Sequence, residues 1–442
     1  MNLLLTGILL LMTMLSKAQN YDSLQFPAKW DLQTCLGFAL KNNIQLNTIR
    51  LSKKVSEQEL LLAKAARYPN LLGSISQTLT HSTNANPVIG GFATQSSFSS
   101  SYGVNSSWVV FNGGYINLNI RLQHMNLASA GLNVEELENS LTIEITQDFL
   151  NVLLARENIV YVEDLLKTSL AQLEQGKAEY NAGSIARNAL TVLEAQSATD
   201  QYNLVAAQSA YRQNVLSLKQ LLQLPSGYQM NIAMPDTLIA TAIVSPLEDV
   251  QAAALQTRPE VRNAQLGVQM AQTDLKMARA QTWPVASIGA GLATGYSNNE
   301  SVDYLKQLDN NFYQRLGLTI SIPIFNNRIY KTQVETSRIA VDQAKLSLLG
   351  TQTTLSQQVE QAYISVLNAQ AQYDASVIQL RANQESYRVA SEQFKVGASN
   401  TVELLQQKNL YIQALQGYLE AKYAAALNIQ IYNFYKGIPV KL

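Results

Sequence analysis

Residues 312–325 read Phe312-Tyr313-Gln314-Arg315-Leu316-Gly317-Leu318-Thr319-Ile320-Ser321-Ile322-Pro323-Ile324-Phe325, and their alternation decides the fold. In an extended chain, Phe312, Leu316, Leu318, Ile320, Ile322 and Ile324 share one face, while Tyr313, Arg315, Gly317, Thr319 and Ser321 share the other. Residues 98–111 repeat the pattern: Phe98, Tyr102, Val104, Trp108 and Val110 oppose Ser99, Ser101, Gly103, Asn105 and Ser107. Two weaker versions precede them, with Leu71, Ile75 and Leu79 against Ser74, Ser76 and Thr78, and Ile288, Ala290, Leu292 and Tyr296 against Ser287, Gly289 and Gly291. One apolar face and one small, polar face is the pattern of a transmembrane β-strand. A half-buried sheet in a soluble domain alternates as well. Two features favour the membrane: the chain has no spare segment to cover four such strands, and Tyr68, Trp283, Phe111 and Phe325 stand where strand meets helix. Aromatic residues collect at that level of a bilayer.

Outward from these strands the chain repeats itself. Phe111-Asn112-Gly113 aligns with Phe325-Asn326-Asn327 at an offset of 214 (111 to 325), which also carries Tyr180 and Gly183 onto Phe394 and Gly397, and Pro225 onto Pro439. Upstream the offset is 215 (68 to 283), matching Tyr68-Pro69 to Trp283-Pro284. The chain is a tandem duplication with a single-residue slip inside the strand region.

Each unit also contains a long stretch without proline, from Pro87 to Pro225 and from Pro323 to Pro439. Val134, Leu137, Leu141, Ile145, Phe149, Val152, Ala155, Ile159, Val162, Leu166, Leu170 and Leu173 recur at steps of three and four, as do Leu355, Val359, Ala362, Val366, Ala369, Tyr373, Val377 and Leu380. That spacing is a coiled-coil seam. Helices are predicted over 115–180 and 328–395, turning at Gly183 and Gly397 into return helices over 185–224 and 399–436. A helix over 115–180 extends roughly 100 Å. Strands are predicted at about 70–82, 98–111, 285–297 and 312–325, joined by polar loops near 83–97 and 298–311.

With 32 Lys+Arg against 32 Asp+Glu, the chain has no basic excess to neutralise nucleic-acid phosphates. One cysteine and two histidines leave no Cys-based zinc site and little acid–base chemistry. No cofactor, metal site or catalytic group is expected. Leu3 to Leu15 is nearly all apolar and Ser16-Lys17-Ala18 supplies small residues, so 1–18 reads as a signal peptide; a buried N-terminal helix is the competing reading. The domain reading is a first repeat over 19–225, a linker over 226–257 with residues 19–30 packed beside it, and a second repeat over 258–442. Within the linker, Ser245-Pro246-Leu247-Glu248 reads as a capping box that restarts a helix. Four strands cannot close a barrel, and lipid forbids open edges, so copies of the chain must pool their strands. Two copies supply eight and three supply twelve; periodicity does not choose.

Taken together, these residues resemble the TolC family of trimeric outer-membrane channels. The resemblance rests on the duplication, Tyr68-Pro69 and Trp283-Pro284, Val110-Phe111-Asn112-Gly113-Gly114 and Ile322-Pro323-Ile324-Phe325-Asn326-Asn327. Tyr180-Asn181-Ala182-Gly183, Phe394-Lys395-Val396-Gly397 and Arg258-Pro259-Glu260 complete it. It implies a homotrimer with a 12-stranded barrel in outer-membrane lipid and an α-helical barrel across the periplasm. It implies docking to a periplasmic adaptor protein and an inner-membrane transporter, with the channel as a passive exit duct. A trimeric adhesive protein anchored in the outer membrane is the alternative; matched strands interrupting the helices twice argue against it.

By position, the resemblance also implies a gate near the second tip. Glu403 matches an acidic constriction residue, Gln406 stands at the next acidic site, and Ser399 at that of a latching arginine. The same Glu403 ends the capping-box sequence Asn400-Thr401-Val402-Glu403, so it either narrows the entrance or caps its helix. Gly183 and Gly397 are the implied docking tips. Arg315, the one charge in the predicted strand cores, either tunes ion selectivity from the lumen face or snorkels towards the loop end.

Overall fold

The computed structural model describes residues 26–86, 90–235 and 238–441; the predicted leader at 1–18 lies outside them. Among the described residues the helices fall in matched pairs, apart from one short helix between the last two strands. α1 (Leu32–Asn42) and α2 (Ile44–Ala65) recur as α5 (Leu247–Thr257) and α6 (Pro259–Ala280), every bound displaced by 215 (32 to 247, 65 to 280). α3 (Tyr115–Asn181) and α4 (Arg187–Leu221) recur as α8 (Ile329–Lys395) and α9 (Thr401–Tyr435), displaced by 214 (115 to 329, 221 to 435). The one-residue slip therefore lies between the helix pairs, where the strands are.

α5 occupies the end of the stretch read as a linker and is the counterpart of α1. Pro259 explains why it reads as an interruption: the residue before a proline avoids helical geometry, and Arg258 sits extended at φ −68°, ψ 133°. In the first repeat Asn43 makes the same break, its side chain accepting from Leu46 N. The capping box expected at Ser245 is not made. Pro246 is the N-cap, without a side-chain bond, and Ser245 Oγ instead accepts from Lys436 Nζ at 2.9 Å.

α3 and α8 each run 67 residues, α4 and α9 each 35. The predicted seam is buried through Leu141, Ile145, Phe149, Val152, Ala155, Val162, Leu166 and Leu173. Val134, Leu137 and Ile159 are half-buried, and Leu170 is 47% exposed. A straight helix drifts against a 3.5-residue repeat, and here Ser169 and Gln172 turn inward in its place. The largest core lies at mid-length, where Trp30, Leu46, Ile145, Phe149, Leu153, Leu218 and Leu222 pack together. The N-terminal segment joins that layer: Trp30 N donates to Asn231 O, Ala233 N to Trp30 O, and Trp30 Nε1 to Tyr228 Oη at 3.0 Å.

β1 (Leu72–Asn86), β2 (Gly91–Phe111), β3 (Val285–Ser297) and β4 (Tyr313–Ser321) form one antiparallel sheet in chain order. The register aligns Ile75, Tyr102 and Thr294 across three strands, and Ala290 with Leu316, Ile288 with Leu318 and Ala286 with Ile320 across the last two. All four apolar faces therefore lie on the same side. Among the described residues no layer covers that side: Ile75, Leu79, Leu316 and Leu318 are each at least 65% exposed. A half-buried soluble sheet would have covered it. No helix among the described residues is long and apolar enough to cross a membrane.

Three strand boundaries differ from those predicted. β1 and β2 extend through the stretch read as a loop, because Ser and Thr pair across strands as readily as they turn: Thr83 Oγ1 meets Thr94 Oγ1 at 3.0 Å and His81 Nδ1 meets Ser96 Oγ at 2.8 Å. β4 ends at Ser321 rather than 325, since Pro323 has no N–H for the ladder. The second loop contains α7 (Tyr304–Asn310), held by Gln307, whose amide accepts from Ser297 N and donates to Ser297 O and Val302 O.

The turn from β2 into α3 uses Gly113 at φ +66° and Gly114 at φ +84°; in the second repeat Asn327 and Arg328 hold the same left-handed places at φ +50° and +69°. A Cβ at Gly113 would lie 2.6 Å from Ala280 O and 2.8 Å from Trp283 Cβ, whereas Gly114 has open space. Gly113→Ala is therefore expected to destabilise the chain by more than the roughly 1–2 kcal/mol of the backbone conformation alone, and Gly114→Ala by no more than that. Arg328→Gly should be neutral or stabilising by up to about 1 kcal/mol. Thermal unfolding of the three variants in one detergent checks the order.

Candidate functional site

Both hairpins turn by the same backbone device. Gly183 N donates to Tyr180 O and Ser184 N to Glu179 O; Gly397 N donates to Phe394 O and Ala398 N to Gln393 O. The glycines sit at φ +74° and +73°, the left-handed position that ends helices of this kind. The two tips then pack on each other, Leu173, Leu190 and Leu193 of the first hairpin against Ala390, Phe394 and Leu404 of the second.

The candidates at the second tip split into two kinds. Ser399 Oγ donates to Glu403 Oε2 at 2.9 Å, so these two are brought together. Asn400 is the N-cap of α9, its side chain accepting from Glu403 N at 3.0 Å. The cap is therefore made by Asn400, and the Glu403 carboxylate takes the Ser399 hydroxyl rather than a backbone N–H. Gln406 lies about one turn further on, exposed like Glu403. On the opposite side of α9, Thr401, Leu404 and Lys408 are buried.

At the other end, Tyr68, Trp283, Phe111 and Phe325 stand exposed at the strand–helix boundaries, from 46% for Phe111 to 84% for Phe325. Trp108 adds a member to this level, donating from Nε1 to Arg67 O at 2.9 Å. Arg315 lies on the small-residue face, paired in register with Gly291.

A third group of residues went unread in the sequence. Lys408 of α9, Asp200 of α4 and Ser169 of α3 form a cluster, exposed by 0%, 2% and 2% respectively. Lys408 Nζ donates to Asp200 Oδ2 and to Ser169 Oγ, Ser169 Oγ also donates to the Asp200 carboxylate, and Gln196 Nε2 donates to Asp200 Oδ1 at 3.0 Å. Burial pushes the Lys408 ammonium below the ordinary lysine range, and the Asp200 carboxylate opposes that shift. Nearby, Gln172 Nε2 donates to Tyr387 Oη, and Tyr387 stacks on Tyr411 at 5.6 Å. Further from the tip, Glu157 accepts from Lys422 Nζ at 2.8 Å and Tyr423 Oη at 2.7 Å, which with burial holds the Tyr423 phenol far above its usual range. The available signal was a charge on a buried face: Lys408 follows Leu404 by four residues and Asp200 follows Leu193 by seven.

Arg258 forms the last polar knot, with Nη2 bonded to Glu260 at 2.8 Å and its guanidinium over the rings of Phe434 and Tyr435. It ties the break between α5 and α6 to the end of α9.

Gly397→Ala meets no neighbouring atom within 4 Å, so its cost is the left-handed backbone alone, about 1–2 kcal/mol. Gly397→Asn should recover much of it, because asparagine tolerates this conformation. Chemical denaturation of the two variants side by side checks both.

The comparisons with known proteins agree with this architecture. A family model described as "Outer membrane efflux protein" matches residues 36–223 and 251–430. The chain is 21% identical over 377 residues to the outer membrane efflux protein BepC of Brucella suis, covering 84% of this chain and 77% of that protein. It is 24% identical over 417 residues to the cation efflux system protein CusC of Escherichia coli K12, covering 90% of this chain and 84% of CusC. A crystal structure of CusC superposes with a TM-score of 0.79 at 21% identity, covering 94% of this chain and 95% of that one. Of the two functions drawn from the sequence, this decides for efflux over adhesion. The matched model spans both repeats and the fold agrees throughout: the chain is a member of the outer membrane efflux protein family, the passive, TolC-like channels of the bacterial outer membrane.

Proposed function

We propose that three copies of the chain close a 12-stranded barrel in outer-membrane lipid and continue as an α-helical barrel across the periplasm. The resulting duct passes substrates delivered by an inner-membrane transporter through a periplasmic adaptor protein. The observation that carries this reading is the open sheet. β1 and β4 each have a neighbour on one side only, and the shared apolar face of the four strands lies bare. Both features are untenable for one chain in lipid and are resolved when copies join edge to edge. Exposed apolar stripes on the helices support the same association: Ile44, Leu51, Val55 and Leu62 on α2, and Ile339, Leu346 and Leu349 on α8.

In this reading Tyr68, Trp283, Phe111 and Phe325 ring the periplasmic side of the membrane, and Arg315 faces the lumen with the small residues. Gly183 and Gly397 mark the tips that meet the adaptor. Three copies of the Glu403 carboxylate, each oriented by Ser399, narrow the entrance and attract cations, with Gln406 beyond them. Energy and substrate choice belong to the inner-membrane partner.

Light scattering of the detergent-extracted protein, with detergent subtracted, is expected to give three times the chain mass. A stable monomer would overturn the proposal, because four strands cannot span lipid alone. In planar bilayers, Glu403→Gln should weaken block of the channel by divalent cations added on the tip side. Unchanged block would remove Glu403 from the entrance and leave the duct itself intact.

A further inference from the structure

The seams within the hairpins and the seam between them differ in chemistry. α8 meets its partners through Leu355, Val359, Ala362 and Val366, and α3 through Leu141, Ile145, Phe149 and Val152. Towards the tip, the seam from the second hairpin to α3 and α4 keeps buried apolar residues, Leu404, Leu415 and Leu419 among them, and adds polar links. Glu157 of α3 bonds Lys422 and Tyr423 of α9, Gln172 of α3 donates to Tyr387 of α8, and the Lys408–Asp200–Ser169 cluster joins α9 to both α4 and α3. The base of this seam is anchored, since Tyr423 belongs to the main mid-length core. From Tyr423 to Lys408 is about 22 Å along the helix; over that span buried Leu415 and Leu419 give non-directional contacts, and the cluster supplies a directional one to the first hairpin.

Three facts make the cluster more than packing. Each member comes from a different helix, and all three are at least 98% buried. A buried charge without its partner is strongly unfavourable, so the ion pair tolerates one rotation of α9 and penalises others. Finally, Lys408 shares a face of α9 with Thr401 and Leu404, while Glu403 and Gln406 lie on the exposed side of the same helix. Whatever fixes the rotation of one face fixes the other.

We infer that the Lys408–Asp200–Ser169 cluster is a pin that sets the rotation of α9 against the first hairpin and thereby positions Ser399, Glu403 and Gln406 in the tip. Lys408 and Asp200 are positioning residues; they act through the helix and touch no substrate. The inference rests on the reading of the tip as the entrance of a duct. With the pin intact, α9 keeps its exposed side in one place. With either charge removed, the survivor is left buried and unpaired, and the tip segment turns or swings away from α3 and α4 to hydrate it.

The test is single-channel conductance in planar bilayers of assembled wild type, Lys408→Met, Asp200→Asn, and the exchange Lys408→Asp with Asp200→Lys. The single variants are expected to raise conductance severalfold and to relieve divalent-cation block, and the exchange to restore both towards wild type. A purely structural role would lower the heat resistance of the oligomer without moving conductance; that result, in oligomers that assemble, overturns the inference. Should a single variant fail to assemble, Lys408→Met with Asp200→Leu removes both charges and leaves neither stranded. That pair is expected to assemble and conduct more than wild type; wild-type conductance, or failure to assemble, overturns the pin. Failure of the duct reading looks different: neither wild type nor any of these variants carries current.

Discussion

Inside lipid a backbone N–H or C=O finds no water, so every strand that crosses must be paired along both edges. The sheet of this protein satisfies that demand between β1 and β2, β2 and β3, and β3 and β4, and leaves one edge of β1 and one of β4 open. The constraint makes a single chain an incomplete unit. It also accounts for the bare apolar face, where Leu316 is 80% exposed, and for the apolar stripes on helices α2 and α8. Those surfaces are expensive in water and ordinary once lipid and neighbouring copies cover them.

Duplication lets one solution serve twice, though with different residues. At the strand-to-helix turn the first repeat places Gly113 and Gly114, and the second places Asn327 and Arg328 in the same left-handed conformation. The first site has no room for a side chain beside Ala280 and Trp283, while the second bears the strain of two. At the other end the repeats agree closely, Gly183 and Gly397 closing the hairpins with matching hydrogen bonds. The tips share their geometry but not their polar groups. Ala189 stands where the second repeat has Glu403, whose carboxylate takes the Ser399 hydroxyl.

The interior of the helical part is likewise divided. Apolar side chains hold helices together near mid-length, where Phe149 and Val359 are almost wholly buried. Approaching the tip, hydroxyls, amides and a buried ion pair join the apolar contacts of Leu173, Leu190, Phe394 and Leu404 between the hairpins. Apolar contacts are non-directional and tolerate small slides; a buried charge pair tolerates far less. The more exacting contact therefore lies nearer the tips than the mid-length core does.

Local pattern made most of this fold legible. Alternation in 312–325 and 98–111 assigned each strand its two faces, and the register then placed all the apolar faces together. Proline spacing and the three–four repeat marked the long helices, and the tip glycines marked their ends. Signals of this kind lie between residues two to four apart, and one sequence carries them in full. A misreading arose where composition stood in for pairing: the stretch near 83–97 looked like a loop because serine and threonine serve turns and strands equally. The Lys408–Asp200–Ser169 cluster was beyond reach for a different reason. Its partners lie 208 and 239 residues apart in the chain, and no periodicity links a lysine to an aspartate at that distance. The sequence by itself determined the duplicated strands, helices and turns, because their spacing is local; the tertiary structure alone decided which charges are buried against each other and how Ser399 meets Glu403, because those contacts exist only once distant helices have packed.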